Sequence, residues 1–185
     1  PVSRGESSPL QNQRRIAQIV STAPFLRRNG GAVMSFKTLT WGVKASFRSY
    51  VDAAGGAVAL SDGATHADDG AFVFRAVPGG DLSIASDGSA EGAARFTGTV
   101  RFEAHGGMLN VTLTDLGLEA GDDGLVLTAP QAPQNETRCA IAKLGPIEIG
   151  TDGAVILGAE ITMDGMFQIA DNYPPGTVMD PVRLD

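Results

Sequence analysis

The sequence predicts a mainly β domain, an antiparallel sandwich or barrel-like body with one or two short helices. Three observations point there. From Ala57 onward, apolar and polar residues alternate at period two in short runs, the pattern of half-buried strands. Clusters of Gly, Asp and Pro, such as Pro78-Gly-Gly-Asp81 and Gly121-Asp-Asp-Gly124, cut these runs at short spacing. One segment alone reads as a convincing helix, and it precedes the strands.

In chain order, residues 1–33 form a polar tail. Within it, Leu10 to Val20 has the spacing of a short amphipathic helix, and Ser21-Thr-Ala-Pro24 with Asn29-Gly-Gly31 reads as a linker. The tail is either a leader remnant or an arm that docks on a partner. The domain proper spans 34–185, with Met34 as an alternative start. Thr38 or Thr40 is expected to cap a helix of about residues 40–53, stopped by Gly55-Gly56. On it Ser46 and Tyr50, four apart, share a face with Phe47 close by, while Lys44, Arg48 and Asp52 form a wet face. Trp41 is expected in the core.

Strands follow at 57–60, 71–76, 82–85, 93–104, 108–119, 125–128, 139–143, 147–149 and 155–163. The alternation is cleanest over Arg95–His105. Phe96, Gly98, Val100, Phe102 and Ala104 face one way; Arg95, Thr97, Thr99, Arg101, Glu103 and His105 face the other. Gly106-Gly107 then reads as a hairpin turn.

The 185 residues suit one domain with a full core. A net charge of −7 argues against nucleic acid and against docking on an anionic membrane surface. No apolar run is long enough to span a membrane, and the start lacks the basic and apolar regions of a signal peptide. The single cysteine, Cys139, excludes an internal disulfide and a multi-cysteine zinc site, and its alternating surroundings read as a buried thiol. His66, in an acidic turn, reads as a surface histidine. There is no nucleophile elbow, P-loop or His-Glu-x-x-His motif, so the chain is not expected to be an enzyme.

With only two Tyr, two His, one Trp and one Cys, few side chains can do metal or acid–base chemistry. Tyr50 lies near the end of the helix, and His105 lies at a strand end beside glycines. A phenol has a pKa of about 10. Ferric iron lowers it enough to bind the phenolate, and a histidine sharing the phenol proton assists. A Tyr–His pair therefore makes a site for a hard ferric ion, most naturally haem iron, for which tyrosine is a recognised ligand type. Ser46, one turn before Tyr50, is placed to hydrogen-bond a haem propionate. On spacing alone a structural tyrosine and a surface histidine remain the alternative.

The text Trp41-Gly-Val-Lys-Ala-Ser-Phe-Arg-Ser-Tyr50-Val51 resembles the opening of the HtaA domain of actinobacterial haem-uptake proteins. So do Val58-Ala-Leu-Ser-Asp-Gly-Ala64, Phe96-Thr-Gly-Thr-Val-Arg-Phe-Glu-Ala-His-Gly-Gly-Met-Leu109 with Thr112-Leu-Thr-Asp115, and the closing Tyr173-Pro-Pro-Gly-Thr-Val-Met-Asp-Pro181. The resemblance covers about residues 36–185. It implies a β-rich sandwich-like fold in which Tyr50 ligates the haem iron and His105 hydrogen-bonds it. It likewise places Ser46 four residues before the ligand and Phe47 as an aromatic lining the haem face. It also implies a secreted or cell-envelope location, although neither an export signal nor a membrane anchor is read in this chain.

These readings converge on non-enzymatic binding of ferric, b-type haem for uptake, transfer or storage, in a cleft between helix 40–53 and the strand ending at His105. The expected partners are haem itself and other haem-uptake proteins or a second copy of the chain. The rival reading is a structural or adhesive β-sandwich subunit whose N-terminal arm pairs with a neighbour. A small haem peroxidase is a third, with His66 as its only spare histidine.

Overall fold

The structure, a computed structural model, describes residues 35–131 and 137–185. The expected tail over 1–33, its amphipathic helix and any arm lie outside the described residues, as does Met34. The chain runs β1 (Thr38–Trp41), α1 (Ala45–Ala53), β2 (Ala57–Ser61), β3 (Thr65–His66), β4 (Phe72–Ala76), β5 (Ser83–Ile84), β6 (Ala90–Glu91) and β7 (Ala93–Thr97). It continues through β8 (Thr99–Ala104), a 3-10 turn (His105–Gly107), β9 (Leu109–Thr114), β10 (Gly117–Gly121), β11 (Gly124–Pro130) and β12 (Arg138–Ile149). It ends with β13 (Val155–Ile161), α2 (Met163–Gln168) and β14 (Val178–Leu184).

The main sheet runs β1-β14-β13-β12-β11-β10-β7-β4, and β4 pairs back to β1, so eight antiparallel strands close into a barrel. Closure removes the open edges that would otherwise invite pairing with other chains. β3 adds to the outer part of β4. A second antiparallel sheet, β2-β8-β9, stands beside the barrel, and β5-β6 is a small ribbon. No helix among the described residues is long and apolar enough to cross a membrane. The mainly β, antiparallel barrel-like class, with two short helices among the described residues, is thus as expected.

Alternation explains the strands. In β8, Val100, Phe102 and Ala104 are buried while Arg101 and Glu103 are exposed, and β9 returns antiparallel with Ala104 opposite Leu109, the expected hairpin. The run 93–104 is not one strand, however. It breaks at Gly98, whose φ of 132° lies outside the range of ordinary side chains. A Cβ there would approach Phe74 Cδ1 to 2.8 Å. The break lets β7 stay in the barrel while β8 joins the small sheet.

The first helix is shorter than expected. Thr38-Leu39-Thr40-Trp41 alternates in burial, with Leu39 and Trp41 inside, and forms β1 rather than a helical start. Neither Thr38 nor Thr40 is a cap, because both belong to that strand. α1 begins at Ala45 and ends, as Gly55-Gly56 implied, after Ala53. Phe47 and Val51, four apart, form its buried face. Gly56 is required there, since a Cβ would meet Glu103 O at 2.6 Å and Val51 O at 2.7 Å. Arg48 is not on a wet face. It is half-buried and ion-paired with Asp180 at 2.6 Å.

Gly42 and Val43 shape the turn from β1 into α1. Gly42 has no room for a side chain, because a Cβ would meet the Arg48 guanidinium and, at 2.6 Å, Asp180 Oδ2. Val43 is fully buried at a φ of 63°. A β-branched residue in the left-handed region costs on the order of 1–3 kcal/mol, and it persists only where its surroundings hold it.

Two further differences concern the C-terminal third. The run 155–163 stops at Ile161, and Met163–Gln168 forms α2, capped by Thr162 Oγ1, which accepts from Gly165 N at 3.0 Å. The last residues form β14, the stave that joins β13 to β1, with Val182 and Leu184 fully buried.

One hydrophobic core unites the barrel, α1 and the small sheet. Phe102 is its junction. It meets Phe47 edge-on at 5.0 Å between centroids and Phe72 at 5.4 Å. Phe102→Ala should lower the unfolding free energy by about 3–5 kcal/mol, read from urea unfolding followed by far-UV circular dichroism. A loss below about 1 kcal/mol would mean that this junction is not packed as described.

Candidate functional site

α1 presents two stripes. Phe47 and Val51 point into the core, and the neighbouring stripe carries Ser46 and Tyr50 outward. Tyr50 is half exposed, at 50%. Its Oη lies 2.6 Å from His105 Nε2, with the ring centroids 5.6 Å apart and tilted by 50°. The imidazole nitrogen accepts the phenol proton in one tautomer and donates to a phenolate in the other. Fifty-five positions separate the two residues in sequence, so the fold alone brings them together.

His105 reaches this position through a bent backbone. It sits at a φ of 53° and is followed by Gly106 at 64°. Histidine tolerates the left-handed region better than most side chains, though at some cost, and such residues cluster at functional sites. The turn ends β8 and lifts the chain over into β9.

Tyr50 and His105 line a cleft of about 840 Å³, within the range of small-molecule sites. Phe47 forms part of its lining, although its ring is only 1% exposed and packs on Phe102. The opposite wall comes from α2 and the segment after it, including Phe167, Ile169 and Tyr173, and the rim from Met108 and Leu109. Met108 is 91% exposed and Phe167 is 73% exposed, an apolar lip to the cleft. Ser46 Oγ lies 2.8 Å from Tyr173 Oη. Lys44 Nζ hydrogen-bonds Val178 O at 2.6 Å and stands 5.8 Å over the Tyr173 ring.

All four residues singled out in the sequence thus meet at or beside one cleft: Tyr50, His105 and Phe47 in its lining, and Ser46 one helical turn away on a lining residue. The cleft is wider than the expected slot between helix and strand, because α2 and residues 167–173 supply a whole wall. Met108, Phe167 and Tyr173 were not singled out by their chemistry. Tyr173 carried a signal, being the only other tyrosine and the first residue of the closing motif. Phe167 carried little, since a six-residue helix is too short to show periodicity.

α2 is held against the barrel by close contacts. Gly165 presses on β12, where a Cβ would collide with Ile141 O. Gln168 Nε2 donates to Cys139 Sγ at 2.7 Å. Cys139 is buried as expected, and burial, with Asp164 nearby, pushes its thiol above the usual range. His66, also as expected, is exposed, in β3 beside Phe72.

The profile of the HtaA (Htaa) family matches residues 37–185. The chain belongs to the HtaA family. Among solved structures it is similar to the C-terminal domain of HtaA from Corynebacterium glutamicum, at 22% identity and a TM-score of 0.62 over 82% of this chain and 96% of that one. The N-terminal domain of the same protein gives 22% identity and a TM-score of 0.61 over 82% and 97%. The heme binding protein HtaB from C. glutamicum gives 16% and 0.55 over 80% and 91%. No curated protein matches the chain. The family and the barrel-like fold read from the sequence are therefore established for this chain.

Because Cys139 is buried and its thiol is pushed up, it should be largely protonated at pH 8 and react slowly. Labelling by a thiol-specific disulfide reagent at pH 8 should proceed only as fast as the HtaA domain opens, and should become immediate in 6 M urea. Immediate labelling of the native chain would place the thiol at the surface.

Proposed function

We propose that this HtaA domain is a non-enzymatic binder of ferric haem, with Tyr50 as the axial ligand and His105 hydrogen-bonding the phenol oxygen. The observation that carries the proposal is the 2.6 Å contact between Tyr50 Oη and His105 Nε2 on the wall of the cleft. Membership of the HtaA family and the likeness to HtaB, a heme binding protein, support the same ligand class.

The donor set suits a porphyrin better than a bare ion. Among the described residues no three His, Cys, Asp or Glu side chains gather to hold a metal. Tyr50 would serve as the one strong donor that a haem needs from the protein, and the ferric iron would supply the Lewis acidity that lets a phenol ionise near neutral pH. Tyr50 provides the hard anionic oxygen. His105 takes up the phenol proton or donates to the phenolate, and so fixes the orientation of Tyr50. Cys139 is buried behind Gln168, so the haem is held without a thioether link, as b-type.

Affinity beyond the iron bond comes chiefly from apolar cover. Each Å² of apolar surface removed from water contributes about 25 cal/mol, whereas a single hydrogen bond nets only about 1 kcal/mol. Met108, Leu109, Phe167 and Ile169 offer that cover, while Phe47 backs Tyr50 from the floor of the cleft. Ser46 and Tyr173, hydroxyl to hydroxyl, are placed to hold a propionate and thereby set which way the macrocycle enters. A single strong axial bond in an open cleft suits a carrier that gives up its cargo to other haem-binding proteins or to a second copy of the chain.

Titration of the apo-protein with ferric haem should give a saturable Soret band at one haem per chain. Tyr50→Ala should weaken binding by more than about 100-fold and His105→Ala by about 10–100-fold, the range typical of residues that support a metal ligand. Equal losses from the two changes, or none, would remove the assigned roles.

A further inference from the structure

We infer that Asp180, on β14, is a positioning residue for the haem ligand: it locks the strained corner from which α1 aims Tyr50. This rests on the proposed haem site and extends it to a residue outside the cleft lining.

Every polar group of Asp180 is engaged at that corner. Its backbone N–H donates to Val43 O at 2.9 Å, and its backbone carbonyl accepts from Trp41 Nε1 at 2.9 Å. Its carboxylate divides between two donors. Oδ1 accepts from Ala45 N, the first residue of α1, at 3.1 Å, and Oδ2 pairs with Arg48 at 2.6 Å. Arg48 returns to the corner by donating to Gly42 O at 2.5 Å.

The local sequence cannot hold this corner by itself. Lys44, the residue at the cap position of α1, makes no side-chain cap, and the first turn of the helix has no acidic residue. A carboxylate at a helix start satisfies a free N–H and complements the helix dipole. Here it comes from 135 residues away. Val43, buried and held at a φ of 63°, relaxes towards the extended region once the carboxylate no longer ties Ala45 and Arg48 to β14. Such relaxation would swing the start of α1. Ser46 and Tyr50 lie one and five residues beyond Ala45 on a rigid helix, so a tilt at the start displaces both from Tyr173 and His105 together.

A merely structural role would lower stability and leave the bound haem unchanged; a positioning role changes the haem. The test compares wild type, Asp180→Ala, Asp180→Asn and Leu184→Ala as ferric-haem complexes, at a temperature where circular dichroism shows all four folded. Leu184→Ala weakens the same strand four residues further on. The readouts are the rate of haem loss to an apomyoglobin scavenger and the position of the phenolate-to-iron charge-transfer band.

Asp180→Ala should lose haem about tenfold faster than wild type with a shifted band. Asp180→Asn, which keeps one acceptor oxygen for Ala45 N–H but loses the second acceptor and the charge that pair with Arg48, should fall between the two. Leu184→Ala should lower Tm with rate and band unchanged. A wild-type rate and band in Asp180→Ala would overturn the inference, as would equal changes in Leu184→Ala. If wild type itself takes up no haem, the haem reading fails and the apo-protein decides the positioning. The ring resonances of His105 should then move in Asp180→Ala and not in Leu184→Ala, and unchanged resonances in both would refute it.

Discussion

β1 is four residues long and hydrogen-bonded along both edges, to β14 on one side and β4 on the other. That double pairing closes the barrel, and the rest of the molecule hangs on it. Leu39 and Trp41 point inward from β1 into the common core, so the strand is fixed by burial as well as by its ladder bonds. α1 leaves β1 after only three residues, and the direction of α1 decides where Tyr50 stands. A closed barrel therefore does more than exclude water. It supplies a rigid base for a side chain that must meet a histidine more than fifty residues away.

The second support of the site is the small sheet. β8 and β9 place the His105 turn beside α1, and the Phe47–Phe102 contact clamps helix to sheet from below. Tyr50 and His105 are thus each held from an independently packed element, and their hydrogen bond costs little further ordering. The third wall, α2 and the segment after it, is attached differently, through Gly165 pressed on β12 and Gln168 bonded to the buried Cys139. It brings Phe167, Ile169 and Tyr173 to face Met108 and Leu109, so apolar and polar side chains line the cleft from both sides.

Much of this was legible in the sequence, and the failures have physical causes. Period-two alternation located most of the strands, because one face of each is buried and the other wet. Tyr50 and His105 stood out because the chain is so poor in groups of their kind. The helix was placed too early because Thr38-Leu39-Thr40-Trp41 is followed directly by helical spacing, and the reversal at Gly42-Val43 depends on contacts with Asp180 that local pattern cannot reveal. For the same reason Arg48 looked solvated: its partner lies 132 residues on. β14 and α2 were missed as elements, the one broken by Asp180-Pro181 and the other only six residues long. Met108 and Phe167 matter through exposure, a property of the folded surface that sequence alone does not carry.

In the proposed complex the Tyr50 oxygen would hold the haem iron. Resonance Raman spectroscopy of the ferric-haem complex, excited in the charge-transfer region, tests this most directly. Tyrosinate ring modes coupled to the iron should be enhanced in the wild-type protein and absent in Tyr50→Phe. A histidine-type spectrum, or tyrosinate modes that survive the substitution, would contradict the account and move the ligand elsewhere in the chain.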